Sequence, residues 1–209
     1  MKIYKIIVVC MNFELLVATN NAHKLTEIRQ ILSPFHITVY GLNDLNIKVD
    51  DIEENGKNYY ENALIKANAI KKLTKFPVIA DDSGLEIEAL GNKPGLFSAR
   101  YAEECGGHAK AIQQIIKDLE GKDRTARFVC DIVLVNVEDK PLLFEGIVPG
   151  KIGYEPDGTT GFGYDPIFIC DELGKSYASL TQEEKNRVSH RGKALKKLLT
   201  YLKINGYAH

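Results

Sequence analysis

The sequence predicts an α/β or α+β protein in which helices flank a mixed β-sheet. Two observations lead to this prediction: apolar runs typical of strands occur along the whole chain, and amphipathic helical segments lie between them. A third is that the 209 residues contain no internal repeat, low-complexity tract or obvious linker. We therefore expect one domain, which can be divided into two lobes around a cleft.

In the first half, ELLVAT (residues 14–19) is a compact apolar run and predicts a buried strand. KLTEIRQIL follows and predicts a helix, because its apolar residues share one helical face. ENALIKANAIKKL predicts a second helix for the same reason. Residues 78–80 are predicted as a short strand, 81–84 as a turn containing Asp81, Asp82, Ser83 and Gly84, and LEIEAL as a half-exposed strand.

In the second half, HAKAIQQIIKDLEG predicts an amphipathic helix that ends near Gly121. RFVCDIVLVNV is the strongest strand and is expected to be central, and PLLFEGIVPGKIG is another strand. TGFGYDPIFI predicts a glycine-containing loop that leads into a strand. Thr181 and Glu184 have the spacing of a capping box, and GKALKKLLTYLK predicts the closing helix.

The composition excludes several function classes. Lys plus Arg total 27 and Asp plus Glu total 28, so the net charge of −1 provides no field that would draw the chain to nucleic acid or a membrane surface. The four cysteines are scattered without metal-ligand spacing, and Cys130 and Cys170 are expected in the core. This pattern fits a reducing cytoplasm.

The N-terminal residues 1–10 are interpreted as an extension of uncertain status, and residues 11–209 as the folded domain. The apolar stretch Ile6–Cys10 is too short for a signal peptide or a membrane span.

The first candidate site is TNNAHK (residues 19–24), between a predicted strand and a predicted helix. Backbone N–H groups at a helix N-terminus can hold phosphate, and Lys24 adds a positive charge. The alternative is a helix cap in which Asn20 or Asn21 satisfies the first turn.

The second candidate is the adjacent pair Asp81 and Asp82. Carboxylates at the end of a strand can hold Mg²⁺ or accept a proton from an attacking water. The nearby DDIEENG contains four acidic residues that could add a ligand: Asp50, Asp51, Glu53 and Glu54. The alternative is a solvated acidic turn.

Two further segments carry groups suited to a nucleoside. In GFGYDP, the glycines allow close approach of a flat ring, Phe162 or Tyr164 can stack on it, and Asp165 is an acceptor. KNRVSHRGK is rich in donors at a break between two helices. The alternatives are a glycine-rich hairpin and a solvated helix junction.

Five stretches, ATNNAHK, ENALIKA, IADDSGLEIEALGNKPGLFSARYA, GFGYDPIF and LTQEEKNRVSHRGKAL, resemble in this order the inosine/xanthosine triphosphate pyrophosphatase family. The resemblance spans residues 15–202. It implies an elongated mixed sheet with two lobes, and Mg²⁺-dependent hydrolysis of ITP, dITP and XTP to the monophosphate and pyrophosphate. It also implies a homodimer.

The resemblance further assigns roles to residues of this chain. Asp82 is implied as metal ligand and proton acceptor, Glu53 as a further metal ligand and Ser83 as a substrate contact. The triphosphate is expected at Thr19, Asn20, Asn21, Ala22, His23 and Lys24. The nucleoside is expected at Phe162, Gly163, Tyr164, Asp165, Lys185, His190 and Arg191.

Lys66, on the second predicted helix, is added from charge balance, because a protein of net charge −1 needs local cations to hold a triphosphate. Two other readings stay open: a nucleotide sensor without catalysis, and a pyrophosphatase for modified pyrimidine triphosphates.

Overall fold

The computed structural model describes residues 12–49 and 52–208. The strands are β1 (Phe13–Val17), β2 (Ile37–Gly41), β3 (Val78–Ile87), β4 (Lys93–Pro94), β5 (Thr125–Val135), β6 (Leu142–Ile152), β7 (Phe168–Cys170) and β8 (Lys175–Ser176). The α-helices are α1 (Ala22–Leu32), α2 (Tyr59–Lys71), α3 (Ser98–Glu104), α4 (His108–Asp118), α5 (Gln182–Val188) and α6 (His190–Ile204).

Eight strands of the described residues form one mixed sheet in the order β2-β1-β3-β5-β6-β7-β8, with β4 added to β3. The pairs β2–β1 and β1–β3 are parallel, and the later pairs are antiparallel. The expected mixed sheet flanked by helices is confirmed, and β5 is central, as predicted. The short edge strand β2 and the helix α3 were not predicted.

Strand β3 contains a clear error of the sequence prediction. Asp81 and Asp82 do not lie in a turn: they lie within a ten-residue strand that pairs with β5 along its whole length. Gly84 makes no turn either. A Cβ at this position would lie 2.1 Å from the carbonyl oxygen of Gly95, so glycine here permits a close approach of two chain segments.

The pairing of β3 explains where a cleft can form. Strand β1 pairs with β3 only at Val78 and Ile79, and β4 pairs with it only at Glu86 and Ile87. Among the described residues, the edge of β3 opposite β5 is therefore unpaired between these two points. Side chains from this part of β3 lie beside the carboxyl end of β1, a position at which α/β sheets commonly bind ligands.

The hydrophobic core is divided at the same part of β3. Ile79 and Ala80 belong to clusters on opposite faces of the sheet, one covered by α1 and α6 and the other by α2. Leu85 and Ile87 belong to a third cluster with residues of α3 and α4. Residues 81–84, which belong to none of these clusters, thus separate two packed ends of the sheet, as the expected two-lobed arrangement requires.

Several smaller predictions can be compared directly. Cys130 and Cys170 are buried, and Thr181 with Glu184 forms the predicted capping box at α5. Within the described ranges, no helix combines the length and apolar character needed to cross a membrane. The predicted extension (residues 1–10), Cys10, Asp50 and Asp51 lie outside the described residues.

Candidate active site

A cleft of about 810 Å³ runs between the two packed ends of the sheet. It brings together most of the residues singled out from the sequence: Thr19, Asn20, Asn21, Lys24, Glu53, Lys66, Asp82, Ser83, Phe162, Gly163, Tyr164, Asp165, Lys185, His190 and Arg191. Two residues of the turn differ. Ala22 is the first residue of α1 and does not line the cleft, and His23 reaches it by stacking on Phe162 with ring centroids 5.0 Å apart.

The turn before α1 is organised by its own side chains. Asn21 is the N-cap of α1, and its side-chain oxygen accepts hydrogen bonds from the backbone N–H groups of His23 and Lys24. Thr19 Oγ1 accepts a hydrogen bond from Asn21 N. The capping interpretation is therefore right for Asn21, and the same turn borders the cleft at the positive end of the α1 dipole.

Asp81 lies on the sheet face covered by α1 and α6, and its Oδ2 pairs with two cations, whereas its Oδ1 has no hydrogen-bond partner among the described residues. Its Oδ2 is 3.0 Å from Lys24 Nζ and 2.8 Å from Arg191 Nη2. Burial alone would raise the pKa of Asp81, but the Lys24 and Arg191 charges outweigh it and hold the pKa well below its usual range. Asp81 is therefore a buried, ionised partner for two cations.

Glu27 of α1 completes this network and was missed by the sequence analysis. Its two oxygens accept hydrogen bonds from Lys185 Nζ and Arg191 Nη1, both at 2.6 Å. Burial works against its ionisation, but these two cations lower its pKa. The sequence contains one signal that Glu27 faces inward, although not one for its partners. Glu27 lies on α1 one turn after Lys24 and one turn before Ile31, which packs against the core.

Asp82 points to the opposite face of the sheet, towards α2. Its Oδ2 accepts a hydrogen bond of 3.1 Å from Asn62 Nδ2, and its Oδ1 lies 3.6 Å from Lys66 Nζ. Burial raises the pKa of Asp82, and the positive charges of Lys66 and Lys24 offset this only in part. The positive charge around Asp82 is therefore too small to offset the cost of burying its ionised carboxylate.

The second acidic side chain beside Asp82 is Glu54. Its Oε2 lies 2.9 Å from Lys66 Nζ, so Lys66 stands between two carboxylates. The negative charge of Glu54 adds to the rise in the pKa of Asp82. Glu53 lines the cleft with an exposed side chain, and its role as metal ligand stays a prediction.

The opposite end of the cleft is built on the loop 162–165. Asp165 Oδ2 accepts hydrogen bonds from Phe162 N at 2.7 Å and from Lys185 Nζ at 2.6 Å. Lys185 Nζ also lies 4.8 Å from the centroid of the Phe162 ring. Tyr164 donates a hydrogen bond to the carbonyl of Ser98, which anchors the loop to α3. The loop therefore presents an aromatic ring beside a buried ion pair.

His190 and Ser83 occupy the floor between the two ends. The His190 ring stacks on Phe128 at 4.4 Å, and its Nδ1 has no protein partner among residues 12–49 and 52–208. Burial and the neighbouring Arg191 charge lower its pKa well below the usual value, so the ring is neutral at pH 7. Ser83 Oγ accepts a hydrogen bond from Arg191 Nη2.

Comparison with known proteins shows to which family this chain is similar. A sequence model described as the Ham1 family matches residues 15–201. A protein of Halalkalibacterium halodurans named dITP/XTP pyrophosphatase is 47% identical over 192 residues, which cover 90% of this chain and 98% of that protein. An Escherichia coli protein of the same name is 45% identical over 195 residues, 91% of this chain and 98% of its own.

Solved structures agree with the sequence comparison. The Ham1 protein of Staphylococcus aureus superposes with a TM-score of 0.80 at 38% identity, covering 92% of this chain and 99% of its own. A HAM1 protein of Coxiella burnetii gives a TM-score of 0.79 at 41% identity, covering 91% of this chain and 98% of its own.

Proposed function

The chain belongs to the Ham1 family, and on that premise we propose that it hydrolyses ITP, dITP and XTP to the nucleoside monophosphate and pyrophosphate. Removing these triphosphates would keep deaminated purines out of DNA and RNA. The family resemblance carried by the sequence motifs is confirmed by the match over residues 15–201 and by relatives named dITP/XTP pyrophosphatase.

The observation that carries the proposal is a single cleft with two chemically different ends. One end holds Asp82, Glu54 and two lysines, and the other holds Phe162 beside the Asp165–Lys185 ion pair. Its volume of about 810 Å³ suits a ligand as large as a nucleoside triphosphate. A polyphosphate chain at the first end and a purine at the second would fill it.

We assign the triphosphate to the turn of residues 19–24 together with Lys24 and Lys66. The turn lies at the positive end of the α1 dipole, which favours anions. Lys24 and Lys66 approach the cleft from opposite faces of the sheet, since Lys24 pairs with Asp81 and Lys66 lies beside Asp82. These two cations, one on each side of the cleft, can balance phosphate charge in a protein whose net charge is −1.

Asp82 and Glu54 fit a Mg²⁺ ion. Mg²⁺ takes one or two carboxylates and completes its shell with water and substrate phosphate oxygens. The raised pKa of Asp82 indicates that this carboxylate lacks positive charge, which a divalent ion would supply. When bound, Mg²⁺ would neutralise charge on the phosphates during cleavage. The implied ligand Glu53 is exposed, so we assign Glu54 as the better placed of the two glutamates.

Asp82 is also the group we assign as proton acceptor for the attacking water. It lines the cleft, and burial raises its pKa, which makes the carboxylate a stronger base. Asn62 and Lys66 hold its two oxygens, so the side chain is fixed relative to the phosphate turn. A water placed in line with the α–β anhydride would lose its proton to Asp82.

Base selection follows from the donors and acceptors at the other end. Hypoxanthine and xanthine offer an N1–H donor and a 6-oxo acceptor, whereas adenine offers the reverse at both positions. We assign Asp165 as the acceptor for N1–H and Lys185 as the donor to the 6-oxo group. Lys185 donates to Glu27 and Asp165, which leaves the third N–H of its ammonium group for the base. Adenine would leave buried polar groups unpaired, which can lower turnover by roughly 10⁴-fold.

A substrate panel tests the proposal. ITP, dITP, XTP, ATP, GTP and dUTP are incubated with Mg²⁺, and the products are identified, with EDTA as control. We expect monophosphate and pyrophosphate from the first three. Diphosphate and phosphate as products, or preferred turnover of dUTP, would contradict the proposal, and nucleotide binding without turnover would favour a sensor.

Three further parts of the proposal concern the protein as a whole. Residues 11–209 form a single catalytic domain, the protein is a homodimer, and it acts in the cytoplasm. The family match over residues 15–201 supports the single domain, the family resemblance supports the homodimer, and the scattered cysteines fit a reducing cytoplasm. Light scattering and cell fractionation would test the last two.

A further inference from the structure

Asn62 stands out because it is a buried polar side chain next to the apolar residues with which α2 packs into the core. It is 1% exposed, and its neighbours on α2 include Ala63, Ala67 and Ile70 in the core. A buried amide is stable only when its donor and acceptor both find partners. Both partners of Asn62 lie outside α2.

The two ends of the Asn62 side chain join two separate segments. Its Oδ1 accepts a hydrogen bond of 2.8 Å from Gly56 N, in the loop that contains Glu54 and precedes α2, and its Nδ2 donates to Asp82 Oδ2 in β3. The orientation of the amide is fixed by chemistry, because a backbone N–H can only donate. The Asn62 oxygen must therefore face Gly56, and its NH₂ group must face Asp82. We call this arrangement of Gly56, Asn62 and Asp82 the Asn62 bridge.

Gly56 is shaped for this contact. A Cβ at position 56 would lie 2.7 Å from Asn62 Oδ1 and 2.8 Å from Asn62 N. Any larger residue would push the loop away from α2 and lengthen the hydrogen bond. The loop therefore passes close enough to be held only because residue 56 has no side chain.

Lys66 makes a parallel connection one turn further along α2. It pairs with Glu54 of the same loop and lies near the other oxygen of Asp82. Positions 62 and 66 are neighbours on one helical face. Together they contact both oxygens of Asp82 and two points of the loop, so α2 sets the distance between Asp82 and Glu54.

We propose that Asn62 is a positioning residue that holds Asp82 and the Glu54 loop in the arrangement required for the metal–triphosphate complex. It touches neither substrate nor metal and acts through Asp82 and Gly56. This inference rests on the proposed function for its catalytic consequence, whereas the Asn62 bridge itself is a feature of the free protein.

Two variants distinguish the contact of Asn62 with Gly56 from its contact with Asp82. Asn62→Asp keeps an acceptor for Gly56 N but replaces the donor to Asp82 with a second negative charge. Asn62→Ala removes both contacts. The matched control is Asn58→Ala, which removes the exposed N-cap of α2, whose side chain accepts a hydrogen bond from Glu61 N, and leaves the bridge intact.

The first measurement is amide hydrogen exchange at Gly56 without metal or substrate. We expect faster exchange in Asn62→Ala than in the wild type, and wild-type exchange in Asn62→Asp and Asn58→Ala once global stability is allowed for. Equal Gly56 exchange in Asn62→Ala and the wild type would overturn the Asn62 bridge.

The second measurement is the steady-state kinetics of ITP hydrolysis, together with a calorimetric titration with Mg²⁺ alone. We expect both Asn62 variants to lose about 10–100-fold in kcat with little change in KM, as for other residues that orient a metal ligand, and Asn62→Ala to lose Mg²⁺ affinity as well. If Asn62→Asp matched Asn58→Ala in kcat, the positioning role would be wrong. An inactive wild type with the expected Gly56 exchange would instead refute the proposed function while the bridge stood.

Discussion

Two neighbouring carboxylates of β3, Asp81 and Asp82, lie in opposite environments. The Asp81 side chain is 2% exposed and contacts Lys24 and Arg191, which lower its pKa. The Asp82 side chain is 11% exposed, borders the cleft and has a raised pKa. Because successive side chains of a strand point to opposite faces, one residue step separates the two environments.

The difference indicates how one strand can serve both stability and chemistry. On the Asp81 face, three acids and three basic side chains neutralise each other: Asp81, Glu27, Asp165, Lys24, Arg191 and Lys185. On the Asp82 face, negative charge is left over and is available for a cation. We infer that the first face holds the cleft together and the second acts on the substrate.

The largest expected effect comes from Asp82→Asn. Removing a proton acceptor and metal ligand should lower kcat for ITP by about 10²–10⁴-fold. The free energy of unfolding at pH 7 should stay the same or rise, because burial disfavours the ionised Asp82 that the substitution removes. Steady-state kinetics and urea unfolding measure the two quantities, and near-normal turnover would refute the assignment of Asp82.

Asp81→Asn should have the opposite profile. The substitution leaves Arg191 and Lys24 in a buried site without their shared anion, and breaking such a buried pair costs about 3–5 kcal/mol. We expect a large fall in the free energy of unfolding, measured by urea at pH 7. If the two Asp→Asn variants were equally stable, the division between the faces would be wrong.

The ion pairs of Asp81 also predict how the stability of the protein changes at low pH. The pKa of Asp81 is lower in the folded than in the unfolded state, so its stabilising contribution is complete above its unfolded pKa of about 3.9 and is lost as pH falls below it. Wild type should therefore lose stability below about pH 4. Asp81→Asn should lose less over this range.

Much of the site could be predicted because its parts are local in sequence. The turn at residues 19–24, the loop at 162–165 and the junction at 185–191 each combine a recognisable motif with a boundary between elements. Asn21 even performs the cap that its residue type suggested. Such signals depend on the order of residues in a short segment, which the sequence contains directly.

The missed features depend on distant parts of the chain. Glu27 meets Lys185 and Arg191, which are 158 and 164 residues away, and no local pattern indicates such pairing. Asp81 and Asp82 suggested a turn because two like charges are unfavourable when they share one environment. The structure places them on opposite faces, and this becomes visible only once the pairing of β3 with β5 is known.

A smaller effect is expected from Asp131, which lies directly opposite Asp82 on β5. Burial, Glu145 and Asp82 raise the pKa of Asp131 to about 6. A raised pKa means that the folded state loses stability as pH rises from about 4 to 6. Asp131→Asn should therefore stabilise the protein at pH 7 by about 1–2 kcal/mol and flatten that part of the pH profile. If the free energy of unfolding of Asp131→Asn changed with pH between 4 and 7 in the same way as that of the wild type, the pKa of Asp131 would not be raised by folding.

Lys24→Ala is expected to have the smallest effect on stability, together with a separate effect on substrate binding. Asp81 keeps its contacts with Arg191 when Lys24 is removed, so the loss in stability should be well below that of Asp81→Asn. If Lys24 binds a phosphate, KM for ITP should rise by about tenfold, the value of one charge-assisted hydrogen bond. The matched control on the other face is Lys66→Ala, which should affect kcat as well, because Lys66 also lies beside Asp82. A KM unchanged from the wild type in Lys24→Ala would mean that Lys24 serves only to neutralise Asp81, and the turn alone would then have to bind the phosphates.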